Sequence, residues 1–106
     1  MVTIHRFSPC GVSVHGHANG GKYGADPVCA AVSALTLTLG ANVSGLQAEK
    51  LLESYEICIN SGNSRISCVP KGEIAPAAEM IFDTIMQGFS LLAYLYPKYI
   101  ALTVDR

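Results

Sequence analysis

Residues 15–35, HGHANGGKYGADPVCAAVSAL, place two histidines, a loop with three glycines and a cysteine directly before an apolar helix. The second half of the stretch carries the helix start. Asp26 is a good N-cap, because its carboxylate accepts from unpaired first-turn N–H groups, and Pro27 falls at N1, where a missing N–H does no harm. Val28, Val32, Leu35 and Leu39 then recur at helical spacing and give a buried face. Gly40 and Asn42 read as stop signals. Residues 19–25, NGGKYGA, form a loop whose glycines permit positive φ and make it mobile.

Upstream, residues 2–7 (VTIHRF) and 12–18 (VSVHGHA) alternate apolar and polar around the turn-like SPCG. They predict a β-hairpin with Val2, Ile4, Val12 and Val14 buried, and with His15 and His17 together on the opposite face. His5 reads as a surface histidine and Cys10 as a turn cysteine. Downstream, residues 43–53 read equally as a short helix or as a loop entering a strand. SYEICIN and SRISCVP then flank SGNS as a second hairpin. Its register is open. A three-residue loop, Gly62 to Ser64, pairs Cys58 with Cys68, and a two-residue loop, Gly62 and Asn63, puts Cys68 opposite Ile57.

Residues 70–76 connect to a long helix over 77–96, with Ile81, Ile85, Leu92 and Leu95 on one stripe and Phe82, Met86, Phe89 and Ala93 on a second. Pro97 ends it, and YIALTV is a last strand. The order ββαββαβ predicts a single α+β domain over 1–106, with two helices packed on one face of a mainly antiparallel sheet.

Composition narrows the function. In 106 residues, half are hydrophobic and 14% are charged, which is a globular composition with room for one core. The net charge of −1, with seven Lys and Arg dispersed, offers no basic field for direct nucleic-acid binding. The apolar run 80–96 is short for a bilayer and is broken by Asp83, Gln87 and Gly88, and MVTIHRF lacks a signal pattern, so a cytoplasmic protein without a membrane partner is expected. In that compartment Cys10, Cys29, Cys58 and Cys68 are thiols, and the lack of any CxxC pair argues against structural zinc.

Cys29 falls at the third helical position, beside unpaired N–H groups and the positive end of the helix dipole, where a thiolate is favoured. His17, across the glycine loop, is placed to take the thiol proton and hand it to a leaving amine. The same first-turn N–H groups are candidate donors to an oxyanion. Asp26 has a possible second role in orienting His17. Ser33, four residues after Cys29, shares its helix face and either bonds a backbone carbonyl or lines the site. Two other readings stand beside this one. His15, His17 and Cys29 could form a three-ligand metal site, and the chain could be a non-catalytic peptide- or ribosome-binding module.

GHANGGKYGADPVCAAVSAL also resembles the signature of the ribosomal-processing cysteine proteases, the Prp family, through Gly16, His17, Gly24, Asp26, Val28, Cys29, Ala30, Val32 and Ser33. Pro27 departs from the pattern, standing where an apolar residue such as isoleucine is expected. The resemblance implies a small cytoplasmic endopeptidase that acts as a homodimer without a cofactor or metal. It implies removal of a short N-terminal extension from large-subunit ribosomal protein number twenty-seven, with the cut after Phe. Cys29 would be the nucleophile, His17 the general base and Asp26 a supporting residue. Gly16, Gly20, Gly21, Gly24 and Ser33 would line the site, under a glycine loop that orders over the substrate peptide.

Overall fold

The computed structural model describes residues 1–17 and 26–105. The expected mobile loop, with Gly20, Gly21 and Gly24, lies outside the described residues. The elements in chain order are β1 (Val2–Phe7), β2 (Cys10–His15), α1 (Pro27–Ala48), β3 (Leu52–Asn60), β4 (Asn63–Pro70), α2 (Ala75–Leu95) and β5 (Ile100–Val104), with a 3-10 turn at Gly72–Ile74 before α2.

The strands form one sheet in the order β3-β4-β2-β1-β5. Only the β1–β5 pairing is parallel. Period-2 alternation puts Val2, Ile4, Val12, Val14 and Ile66 on one face, and all five are buried. Both helices cover that face, α1 over β3 and β4, and α2 over β2 and β5. The architecture is therefore the α+β arrangement that the element order implies.

The two apolar stripes of α2 fare differently. Phe82, Met86 and Phe89 are buried, together with Ile85, whereas Leu95 at the end of the other stripe is 65% exposed. Arg6 occupies an inward position on β1 and is buried as well. Its guanidinium donates to the Phe7 carbonyl at 2.6 Å, meets Asp83 at 3.5 Å and lies over the Phe82 ring. The aliphatic stem can thus be buried while the charge is matched by a carboxylate and by the turn carbonyls.

Four local expectations are corrected. Helix α1 runs through Gly40 and Asn42 to Ala48, so the first half of 43–53 is helix and strand β3 begins at Leu52. Gly40 is a contact residue, not a stop: a Cβ there would come within 2.9 Å of Ile59 Cδ1, so its bareness lets the helix approach β3 closely. Strand β2 begins at Cys10, which is a fully buried strand residue rather than a turn cysteine. It ends at His15, so the strand alternation does not reach His17.

The second hairpin has Asn60 opposite Asn63, leaving Ser61 and Gly62 as its two-residue turn. This register is neither of the two expected. Cys58 pairs with Arg65 and Cys68 with Tyr55, so Cys58 and Cys68 do not face each other. Cys68 instead lies directly opposite Cys10 on β2.

Helix α1, not the run at 80–96, is long and apolar enough to satisfy a bilayer-span criterion, with mean hydropathy 1.5 over its best window. Its Val28, Val32, Leu39 and Val43 are packed in the domain core.

Candidate active site

The first turn of α1 is built as its sequence demands. Asp26 has extended backbone angles and caps the helix, its Oδ1 accepting from the N–H of Val28 at 2.9 Å and of Cys29 at 3.2 Å. Pro27 sits at the first helical position and leaves the helix intact, so its departure from the family pattern has no backbone consequence. Cys29 is the third helical residue and is exposed. Ser33, one turn on, is also exposed on that face.

These N–H groups are already engaged. The Ala30 N–H donates to the Asp26 carbonyl at 3.1 Å, and those of Val28 and Cys29 go to the Asp26 carboxylate. The expectation that the first-turn N–H groups double as oxyanion donors is therefore not met in this state, because a donor held by a carboxylate is not open to a second acceptor. The Asp26 side chain serves as the helix cap.

His17 reaches the same place from the other side. Gly16 adopts a φ of 92°, a conformation open to glycine, and turns the chain out of strand β2. The Gly16 N–H donates to the Gly62 carbonyl at 2.9 Å, and the nitrogen of Met1 donates to the His17 carbonyl at 2.8 Å. These bonds tie the end of β2 to the β3–β4 turn and to the start of β1.

A cavity of about 260 Å³ opens between these elements. Cys29, His17, Ser33 and Gly16 line it, and Val2, Val14, Val32, Leu37 and Ile59 supply apolar walls. The turn from Asn60 to Ser64 closes one side. Four of the expected site residues are thus brought together around one opening. The hydroxyl of Ser33 makes no hydrogen bond among the described residues, unlike Thr36 and Thr38, whose hydroxyls bond carbonyls four residues back. Its free hydroxyl fits a site-lining residue better than a helix back-bond.

His15 does not join them. It pairs with Thr3 and Asn63 within the sheet and is not part of the cavity lining, so the two histidines do not act from one face. Among the described residues no three His, Cys, Asp or Glu side chains are grouped to hold a metal ion, which leaves the His15–His17–Cys29 metal reading without support. His5 is half-buried, bonded through Nδ1 to Thr103 Oγ1 at 2.7 Å and stacked on Phe7.

The β3–β4 turn is the part of the site that sequence reasoning missed. SGNS is legible as a turn, but its place beside Cys29 depends on β4 pairing with β2, which sets Asn63 against His15. That pairing joins strands separated by a whole helix and a third strand.

An apolar-walled opening with an exposed cysteine on a helix N-terminus and a histidine across from it suits attack on a peptide carbonyl. Comparison with known proteins agrees. A solved structure of the ribosomal processing protease Prp from S. aureus, with a covalently linked product peptide, is 25% identical with a TM-score of 0.80, covering 98% of this chain and 99% of that one. A second structure of the S. aureus protease, with a substrate peptide, has 23% identity and a TM-score of 0.73, covering 98% and 99% of the two chains. SMU.848 of Streptococcus mutans shares the fold at 24% identity and a TM-score of 0.64, covering 99% of this chain and 93% of that one. A search of curated protein sequences returned no match. The model of the cysteine protease Prp family matches residues 2–101, and the chain belongs to that family.

Proposed function

We propose that this cysteine protease removes the short N-terminal extension of large-subunit ribosomal protein number twenty-seven. The observation that carries the reading is the convergence of Cys29, His17 and Ser33 on one apolar-walled cavity. The S. aureus relative, which is a ribosomal processing protease, has been solved with both a substrate peptide and a covalently linked product peptide.

In the proposed reaction His17 accepts the Cys29 thiol proton and the sulfur attacks the scissile carbonyl carbon. The tetrahedral intermediate collapses to a thioester, and His17 passes the proton to the departing amine. Water, deprotonated by His17, then hydrolyses the thioester and restores the thiol. Asp26 supports the site by capping α1 and holding the first turn, which carries Cys29, in register. Val2, Val14, Val32, Leu37 and Ile59 provide the apolar surface for a residue such as Phe before the cut. Gly16 lines the cavity, and Gly20, Gly21 and Gly24 are the further glycines proposed to contact the peptide.

The same reading places the enzyme in the cytoplasm as a homodimer. Four free cysteines suit a reducing compartment. Tyr55 and Ile57 on edge strand β3, outside the cavity lining, leave exposed apolar surface of the kind that a second copy covers. Sedimentation analysis tests the dimer.

Mass spectrometry of a peptide spanning the extension and the first mature residues, incubated with wild type and with Cys29→Ala, tests the activity. One cut after Phe by wild type alone is expected. Binding without cutting by both proteins points to a peptide-binding module and overturns the processing role.

A further inference from the structure

His17 leaves the sheet through Gly16, and its imidazole comes to rest on the β3–β4 turn. A Cβ at Gly62 would lie 2.6 Å from His17 Nε2 and 3.0 Å from Cε1. The ring is therefore seated on bare backbone. That backbone is held from several sides: the Gly62 carbonyl accepts from the Gly16 N–H, and Asn60 and Asn63 are paired next to the turn. The buried Ser64 hydroxyl accepts from the Asn60 N–H at 3.3 Å and donates to its carbonyl at 3.2 Å. Gly62 lines the cavity together with Cys29.

We propose that Gly62 is a positioning residue for the protease reaction, its bare Cα forming the seat that holds the His17 imidazole within reach of Cys29. This rests on the reading of His17 as the general base. A side chain at position 62 has two separable consequences. Its backbone, at φ 74°, is in a region that most L-residues avoid. Its Cβ also occupies the seat of the ring. The imidazole ends a flexible side chain, whereas the turn is pinned by hydrogen bonds, so the imidazole is what yields. The substitution therefore moves the base and spares the fold.

Alanine and asparagine separate the two consequences. Asn tolerates the left-handed conformation and Ala does so poorly, yet both carry the same Cβ. The experiment compares Gly62→Ala, Gly62→Asn, His17→Ala and wild type, all in a Cys58→Ser background that removes the other exposed thiol. It reads kcat and KM on the precursor peptide, the pH profile of Cys29 alkylation by iodoacetamide, and the melting temperature.

Both Gly62 variants are expected to lose kcat by about 100-fold, the scale of an ångström-sized displacement of a reacting group, with KM little changed. Their alkylation profiles are expected to move toward that of His17→Ala. Wild-type kcat and profile in Gly62→Asn, with loss only in Gly62→Ala, assigns the effect to turn strain and overturns the proposal. Loss of kcat in His17→Ala with wild-type behaviour of both Gly62 variants overturns the positioning role alone. Wild-type cleavage and alkylation by His17→Ala overturns the general-base reading and the positioning role together.

Discussion

Cys29 and the Cys10–Cys68 pair are the same side chain in opposite settings. Cys29 stands exposed on the first turn of a capped helix, on the wall of a cavity that also holds a histidine. Cys10 and Cys68 face each other across β2 and β4, buried under the helices. Burial pushes the Cys68 thiol up to about 12, with the neighbouring Cys10 adding to the rise. Burial also raises the Cys10 thiol, against the pull of nearby Arg6. A thiol of this kind stays protonated and acts as a small apolar side chain. Location in the fold, not residue type, separates the proposed nucleophile from core filling.

The hardest test of that contrast is substitution. Cys29→Ala is expected to lower peptide cleavage by about four orders of magnitude or more, the scale seen when a nucleophile is removed. Its melting temperature should match wild type, because an exposed side chain leaves no cavity behind. Cys68→Ala should do the reverse, keeping kcat while lowering the melting temperature. Comparable losses of cleavage in both variants would erase the distinction.

Labelling of the native protein reads the contrast without mutation. Iodoacetamide followed by peptide mapping should modify Cys29 and Cys58, with Cys10 and Cys68 reacting only after unfolding. Rapid native labelling of Cys68 would show that the β2–β4 interface opens readily.

Alkaline stability sharpens the buried side of the comparison. Below pH 9 both folded and unfolded chains keep the Cys68 proton. Between the ordinary value of 9.0 and about 12 the unfolded chain releases it and the folded chain does not, so stability falls as pH rises through that window. The urea midpoint, followed by circular dichroism, should decline more steeply in wild type than in Cys68→Ala.

The smallest effect belongs to the cap. Asp26→Ala removes the acceptor for the Val28 and Cys29 N–H groups and should cost about 1 kcal/mol of stability, measured by denaturant unfolding. Asp26→Asn, which keeps a capping oxygen, should recover most of it.

Much of this was legible in local sequence. DPVC specifies cap, first turn and cysteine position through interactions within four residues. The alternation in VTIHRF, and in VSVH at the start of VSVHGHA, selects the buried positions Val2, Ile4, Val12 and Val14 of β1 and β2. The errors arose where distant contacts override local signals. Gly40 and Asn42 resemble a helix end, yet the helix continues because Gly40 packs against Ile59 of β3. Cys10 resembles a turn residue until pairing with β4 draws it into the core. His15 and His17 share a face only while the strand lasts, and Gly16 ends that.

By itself, then, the sequence determined the helix start that carries Cys29, the faces of the first hairpin and the ββαββαβ order, because hydrogen-bond capping and side-chain periodicity act over a few residues. Only the tertiary structure decided the register of the second hairpin, the pairing of Cys10 with Cys68 and the seating of His17 on Gly62. The last two depend on β2 meeting β4 across an intervening helix and strand, and a contact between segments so far apart leaves no periodic trace in either one, while the first stayed open because SGNS admits more than one tight turn.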